Sequence, residues 1–254
     1  MFNMLILSAM DSLHPGPLSA RAHQGHALSI GFGLLLVGVA GIGLVVNDHL
    51  PALGWIGLYT PILIALYLVA MRVVFSHEQR LLRASPSARS VHAAGRLSLR
   101  SAVLRYAGAA VVVVAAAIWL PHLAGELARQ TGLGQVFVGS LFVAVTTSLP
   151  EIVVSLTAVR MGAVDLGVAN VLGSNMFNLL ILALDDVFYR PGPLLEHAAP
   201  SHLVIVAAIV MMNGAFLVGL TYRALTKRFA VAWDTGAIAA IYAVAIALTY
   251  VLST

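Results

Sequence analysis

The chain has 254 residues, of which 60% are hydrophobic and only 9% charged. A soluble globular domain carries about 25% charged residues, so this composition excludes an ordinary water-soluble fold and fits a polytopic membrane protein. The formal charge is +4, but the basic residues follow a topological pattern, which argues against nucleic acid as the partner. Cysteine is absent, so disulfides and thiolate metal sites are excluded.

In chain order, apolar segments are predicted at roughly 1–11, 28–46, 54–75, 102–121, 134–160, 167–188, 202–222 and 235–253. Residues 1–18 do not read as a secretory signal. They lack a basic start, and the short apolar run meets Asp11, His14, Pro15 and Pro17. Between the third and fourth segments, residues 76–101 form a polar, arginine-rich linker. If this linker faces the cytoplasm, alternation places 12 of the 14 basic residues on the same side, leaving only Arg129 and Arg190 opposite. The expected location is therefore a bacterial-type inner or plasma membrane, with the linker cytoplasmic and lipid as the surrounding partner.

The sequence repeats itself. Met1-Phe2-Asn3-Met4-Leu5-Ile6-Leu7 returns as Met176-Phe177-Asn178-Leu179-Leu180-Ile181-Leu182. Asp11 falls on Asp186, and Pro15-Gly16-Pro17-Leu18 falls on Pro191-Gly192-Pro193-Leu194 after one inserted residue. Repeats in so apolar a chain are a signature of transporters built from two related halves. The reading divides the chain into residues 1–75 (three segments, the later part of a first repeat), the linker 76–101, and residues 102–254 (five segments, a second repeat). Five segments per half would set the halves in opposite orientations. By comparison with the second copy, two membrane segments are expected ahead of Met1, roughly 74 residues in all.

Two segments of the second half carry the polar chemistry. The first holds Thr146-Thr147-Ser148-Leu149-Pro150-Glu151, followed by Ser155. An ionisable side chain deep in an apolar stretch costs a few kcal/mol and by default marks function. Pro150 should break the helix and release carbonyl oxygens near Ala144–Thr147. Carbonyls, hydroxyls and one carboxylate make an oxygen-only site suited to a hard cation. Thr147, Glu151 and Ser155 share a helical face at spacing four, as do Asn170, Ser174 and Asn178. Gly167 and Gly173 should let another helix approach closely.

The competing readings are plainer. Hydroxyls of Thr147, Ser148 and Ser174 can bond within their own helices. Asn170, Asn175 and Asn178 can serve as helix–helix hydrogen bonds, and Asp185 and Asp186 read as helix-end polarity. The nine histidines fall in loops or at segment ends without zinc spacing.

Thr147-Ser148-Leu149-Pro150-Glu151, some twenty residues before Asn170-Val171-Leu172-Gly173-Ser174-Asn175-Met176-Phe177-Asn178, resembles an alpha repeat of the sodium/calcium exchanger family, within the calcium/cation antiporters. The resemblance implies a ten-helix, inverted-repeat antiporter fold, of which about eight helices are present here. It implies exchange of sodium for calcium by alternating access, with no enzymatic chemistry and no cofactor other than the transported ions. Glu151 would bridge calcium and sodium sites, and Asn178 and Asn3 would be amide ligands from the two halves. Thr147, Ser148 and Ser174 would supply oxygens to flanking sodium sites, and Ala144 a backbone carbonyl. Three departures stand out: Thr146 and Ala169 replace glycines usual in the family, and no first-half Thr-Ser-Pro-Glu motif occurs. The alternatives are a proton- or potassium-coupled antiporter with the same fold, or a chain that holds half a site and transports nothing by itself.

Overall fold

A computed structural model describes residues 1–46, 49, 52–84, 99–132, 135–223, 225–227 and 230–252. Among them the regular structure is helical throughout: α1 (Phe2–Leu13), α2 (Leu18–Arg21), α3 (His26–Val46), α4 (Tyr59–Ala84), α5 (Leu99–Thr131), α6 (Gln135–Val138), α7 (Ala144–Thr147), α8 (Leu149–Arg160), α9 (Val164–Phe188), α10 (His202–Tyr222) and α11 (Trp233–Val251). Gly139–Val143, between α6 and α7, is a π-helix. Leu194–His197 is a short 3-10 turn. Of the linker, residues 85–98 lie outside the described residues. Its flanks are continuations of α4 and α5, so helix reaches further into the polar stretch than the apolar runs indicate.

Helices α3, α4, α9, α10 and α11 are each long and apolar enough to cross a membrane. The stretch from Val136 to Arg160 passes the same test as one broken span, bent by 51°. Their outer faces expose large apolar side chains, among them Ile42, Leu68, Val153, Leu166 and Val244. Apolar surface on that scale belongs in lipid. The chain is an all-α, polytopic integral membrane protein.

The interior is built around the crossing of α1 with α9. Met4, Leu7 and Met10 on α1 pack with Val168, Leu172 and Phe216, all essentially inaccessible. A second cluster joins Leu36, Leu63 and Ala183 around Tyr59. Gly167 is needed where these helices meet, because a Cβ there would lie 2.7 Å from the Met10 methyl and 3.1 Å from the Ser155 carbonyl. Gly173 has no such neighbour. The two glycines expected to act alike therefore differ.

The repeat is visible in the packing. The Pro17 and Pro193 residues adopt the same backbone conformation (φ −56°, ψ 129° and φ −55°, ψ 126°), and each starts a short helical turn. Asp11 near the end of α1 and Asp186 near the end of α9 are both inaccessible. Each is bonded to the first turn of the other half's last helix, Asp11 to α11 and Asp186 to α4.

Candidate cation site

The helix carrying Glu151 breaks at Ser148, which leaves helical geometry (φ −95°, ψ 6°) and serves as N-cap of α8, with Pro150 in the first turn. Proline is well tolerated there because first-turn N–H groups lack helical partners anyway. The π-turn just upstream widens the helix one turn before the break, an arrangement that recurs at functional sites. The carbonyl end of α7 and the N-terminal end of α8 thus meet at Ser148. The first attracts a cation and the second favours the Glu151 carboxylate.

Glu151 is half-buried, and its Oε2 is shut from solvent with no hydrogen-bond partner. Ser148 and Asn3 come together across 145 positions of sequence: the Ser148 hydroxyl donates to Asn3 Oδ1 at 2.6 Å. Both are buried, and Asn3 Nδ2 is also left without a partner. A carboxylate oxygen of Glu151 and the amide nitrogen of Asn3 are thus without partners on the elements that meet at the α1–α8 contact, while the Asn3 amide oxygen is taken by Ser148.

The remaining residues are more dispersed. Thr147 is exposed and its hydroxyl turns back onto the carbonyls of Val143 (2.9 Å) and Ala144 (3.3 Å). Ser148 N–H also donates to the Ala144 carbonyl at 3.1 Å. The Pro150 break therefore does not leave that carbonyl bare, because the chain bends at Ser148 without losing this bond. Ala144 lines a cavity of about 470 Å³ together with Met1, Phe2, Gly139 and Ser140. Ser174 is half-buried on α9. Asn178 lines a separate cavity of about 50 Å³ with Asn175 and Asn213.

Other polar residues in the same helices stitch the bundle. Asn170 donates to the Ser155 hydroxyl at 3.0 Å, tying α9 to α8. Asn175 donates to Met4 Sδ at 3.0 Å, tying α9 to α1. Among the described residues no three His, Cys, Asp or Glu side chains are grouped to hold a metal ion, so any ion here rests on neutral oxygens plus Glu151. His26, at a segment end, is buried, and its Nε2 is 2.9 Å from Asp165, linking the start of α3 to the first turn of α9. Asn213 on α10 and Ser29 on α3 are a further buried amide and hydroxyl. Each is a lone polar side chain inside an apolar span.

The profile of the sodium/calcium exchanger protein family matches residues 100–254. The chain belongs to the sodium/calcium exchanger protein family. Its resemblance to individual exchangers is local. It is 30% identical over 114 residues to the putative antiporter CaxA of Alkalimonas amylolytica, covering 44% of this chain and 36% of that protein. It is 44% identical over 63 residues to the sodium/calcium exchanger MaX1 of Methanosarcina acetivorans, covering 24% of this chain and 18% of the relative. With the human sodium/potassium/calcium exchanger 4 it shares 36% over 64 residues, covering 25% and 10%. The matched segments thus span about a third or less of these exchangers. No solved structure matches the chain.

Proposed function

We propose that this chain takes part in secondary cation antiport, exchanging sodium for calcium by alternating access, with Glu151 as the principal ligand. The observation that carries this reading is the Glu151 carboxylate: it stands at a helix break inside a membrane span, with one oxygen sequestered and unpartnered. Such a group is costly unless a cation visits it. In this reading Ser148 and Asn3 would give up their mutual hydrogen bond to add oxygens, and Asn178, Ser174, Thr147 and the Ala144 carbonyl would extend the set as the helices shift. Sodium and calcium would compete for these overlapping oxygens, as hard cations do. Nothing in the scheme requires covalent chemistry or a resident cofactor, and its partners are inorganic cations and lipid, with no role for nucleic acid. The distribution of arginines supports a bacterial-type inner or plasma membrane with residues 76–101 in the cytoplasm.

The test is radiolabelled calcium uptake into vesicles reconstituted with the purified chain. An outward sodium gradient should drive uptake, and Glu151→Gln should abolish it while leaving the protein folded. Uptake driven by a pH gradient instead would establish the proton-coupled reading. Unchanged flux in the Glu151→Gln variant, or no flux from the unmodified chain under any gradient, would overturn the transport role.

A further inference from the structure

Phe2 and Phe177 each stand directly before the amide of its repeat, Asn3 and Asn178. Phe2 meets Tyr242 of α11 with ring centroids 6.0 Å apart and planes at 66°. Phe177 meets Tyr67 of α4 at 6.4 Å and 57°. The interval from Phe2 to Phe177 equals that from Tyr67 to Tyr242, so the two pairs are equivalent. Each tyrosine comes from the last helix of the opposite repeat. The duplication thus sets a tyrosine beside the turn that carries each amide.

In the first copy the surroundings are closed. Tyr242 is 8% exposed, and its hydroxyl oxygen is shut from solvent without a hydrogen-bond partner. Helix α1 lies against both α8 and α11. Phe2 and Ile152, the residue after Glu151, pack on the apolar cluster that contains Tyr242. A buried hydroxyl with no partner is destabilising, and phenylalanine would fill the same space without that cost. Packing alone therefore does not account for a tyrosine here.

The unpaired atoms name a partner. On Asn3, Oδ1 accepts from Ser148, and Nδ2 has no acceptor. An amide nitrogen only donates, whereas a phenol oxygen can accept. Asn3 Nδ2 and the Tyr242 oxygen are thus an unpaired donor and an unpaired acceptor on touching helices. Once Ser148 releases Asn3 Oδ1 to an ion, a bond from Nδ2 to the Tyr242 oxygen would hold the amide with its own oxygen toward that ion.

We propose that Tyr242 is a positioning residue for the ion site. In the ion-bound state its hydroxyl accepts from Asn3 Nδ2 and so orients the Asn3 oxygen as a ligand. This rests on the reading of Glu151 and Asn3 as ligands, and it brings α11 into the site without a direct contact to the ion.

The experiment is thermal unfolding of the purified full chain in detergent, titrated with calcium chloride at constant ionic strength. Calcium should raise the unfolding temperature saturably. Tyr242→Phe should leave the calcium-free unfolding temperature unchanged or higher, and should raise the half-maximal calcium concentration about tenfold, the loss expected for one hydrogen bond to a ligand. A side chain that only packs would leave that concentration in place. In an Asn3→Ala background, which lacks the donor, Tyr242→Phe should add nothing. An unchanged half-maximal concentration in folded Tyr242→Phe, or the same further loss in the Asn3→Ala background, would overturn the role and leave the Glu151 reading standing. Calcium dependence that survives Glu151→Gln would remove the ion site on which both readings stand.

Discussion

Asp11 and Asp186 occupy the same position in the two repeats, and each binds the start of the other repeat's last helix. Asp186 accepts from Gly57 N–H at 2.9 Å, Thr60 Oγ1 at 2.5 Å, Tyr59 hydroxyl at 2.5 Å and Leu194 N–H at 2.6 Å. Asp11 accepts from Ala232 N–H at 2.6 Å, Thr235 Oγ1 at 2.7 Å and Leu18 N–H at 2.7 Å. The fourth donor differs: on Asp11 it is Lys227, with Nζ 3.1 Å away. Each carboxylate satisfies helix N-terminal donors that lipid could not satisfy. The two aspartates thereby lock the halves together by exchange.

Asp186→Ala should strand several buried donors at once and destabilise the fold by at least about 3 kcal/mol, since each unsatisfied buried group costs about 1–3 kcal/mol. Asp186→Asn should cost less, because its amide oxygen still accepts. Thermal unfolding in detergent reads both.

The Asp11–Lys227 pair is almost wholly buried, and the Lys227 ammonium also donates to the carbonyls of Asp11 and His14. Removing one partner of a buried pair costs about 3–5 kcal/mol, whereas replacing both is milder. Asp11→Asn and Lys227→Met should each lower the unfolding temperature, and the double variant should be more stable than additivity of the two predicts.

Gly43 and Gly219 are equivalent, and each receives a side chain from the first turn of the last helix of its own half. A Cβ at Gly43 would lie 3.2 Å from Tyr59 Cβ and 2.9 Å from a Leu195 methyl. At Gly219 it would lie 2.0 Å from Asp234 Oδ2. Asp234 stands where Tyr59 stands in the first repeat, fully buried, with neither carboxylate oxygen hydrogen-bonded. Gly219→Ala should therefore be more damaging than Gly43→Ala, and Asp234→Ala should rescue it only in part, because it removes the Oδ2 and Cγ contacts but leaves the Asp234 Cβ 2.8 Å away. Unfolding temperatures of the three variants check this order.

Ser148→Ala removes the hydroxyl that Asn3 Oδ1 accepts. It should cost about 1–3 kcal/mol at the buried amide and lower sodium-driven calcium uptake, while Ser148→Thr should retain part of both. Equal uptake by Ser148→Ala and the unmodified chain would mean that this contact serves packing alone.

Helix positions, the repeated motif and the place of Glu151 inside an apolar stretch were legible in the amino-acid order, because they depend on hydrophobic period and on spacing, which are local properties; the equally unpartnered Asp234, at the start of its helix, was not. The partners of the polar groups were not legible. Ser148 and Asn3 lie 145 positions apart, Asp11 and Thr235 lie 224 apart, and Asn178 shares a cavity lining with residues of α3 and α10. Which of several candidate amides and hydroxyls bond their own helix, as Thr147 does, and which face another depends on how the helices cross. That crossing is set by close packing at positions such as Gly167 and Gly219 and by the exchanged aspartate caps, and only the folded bundle brings these together.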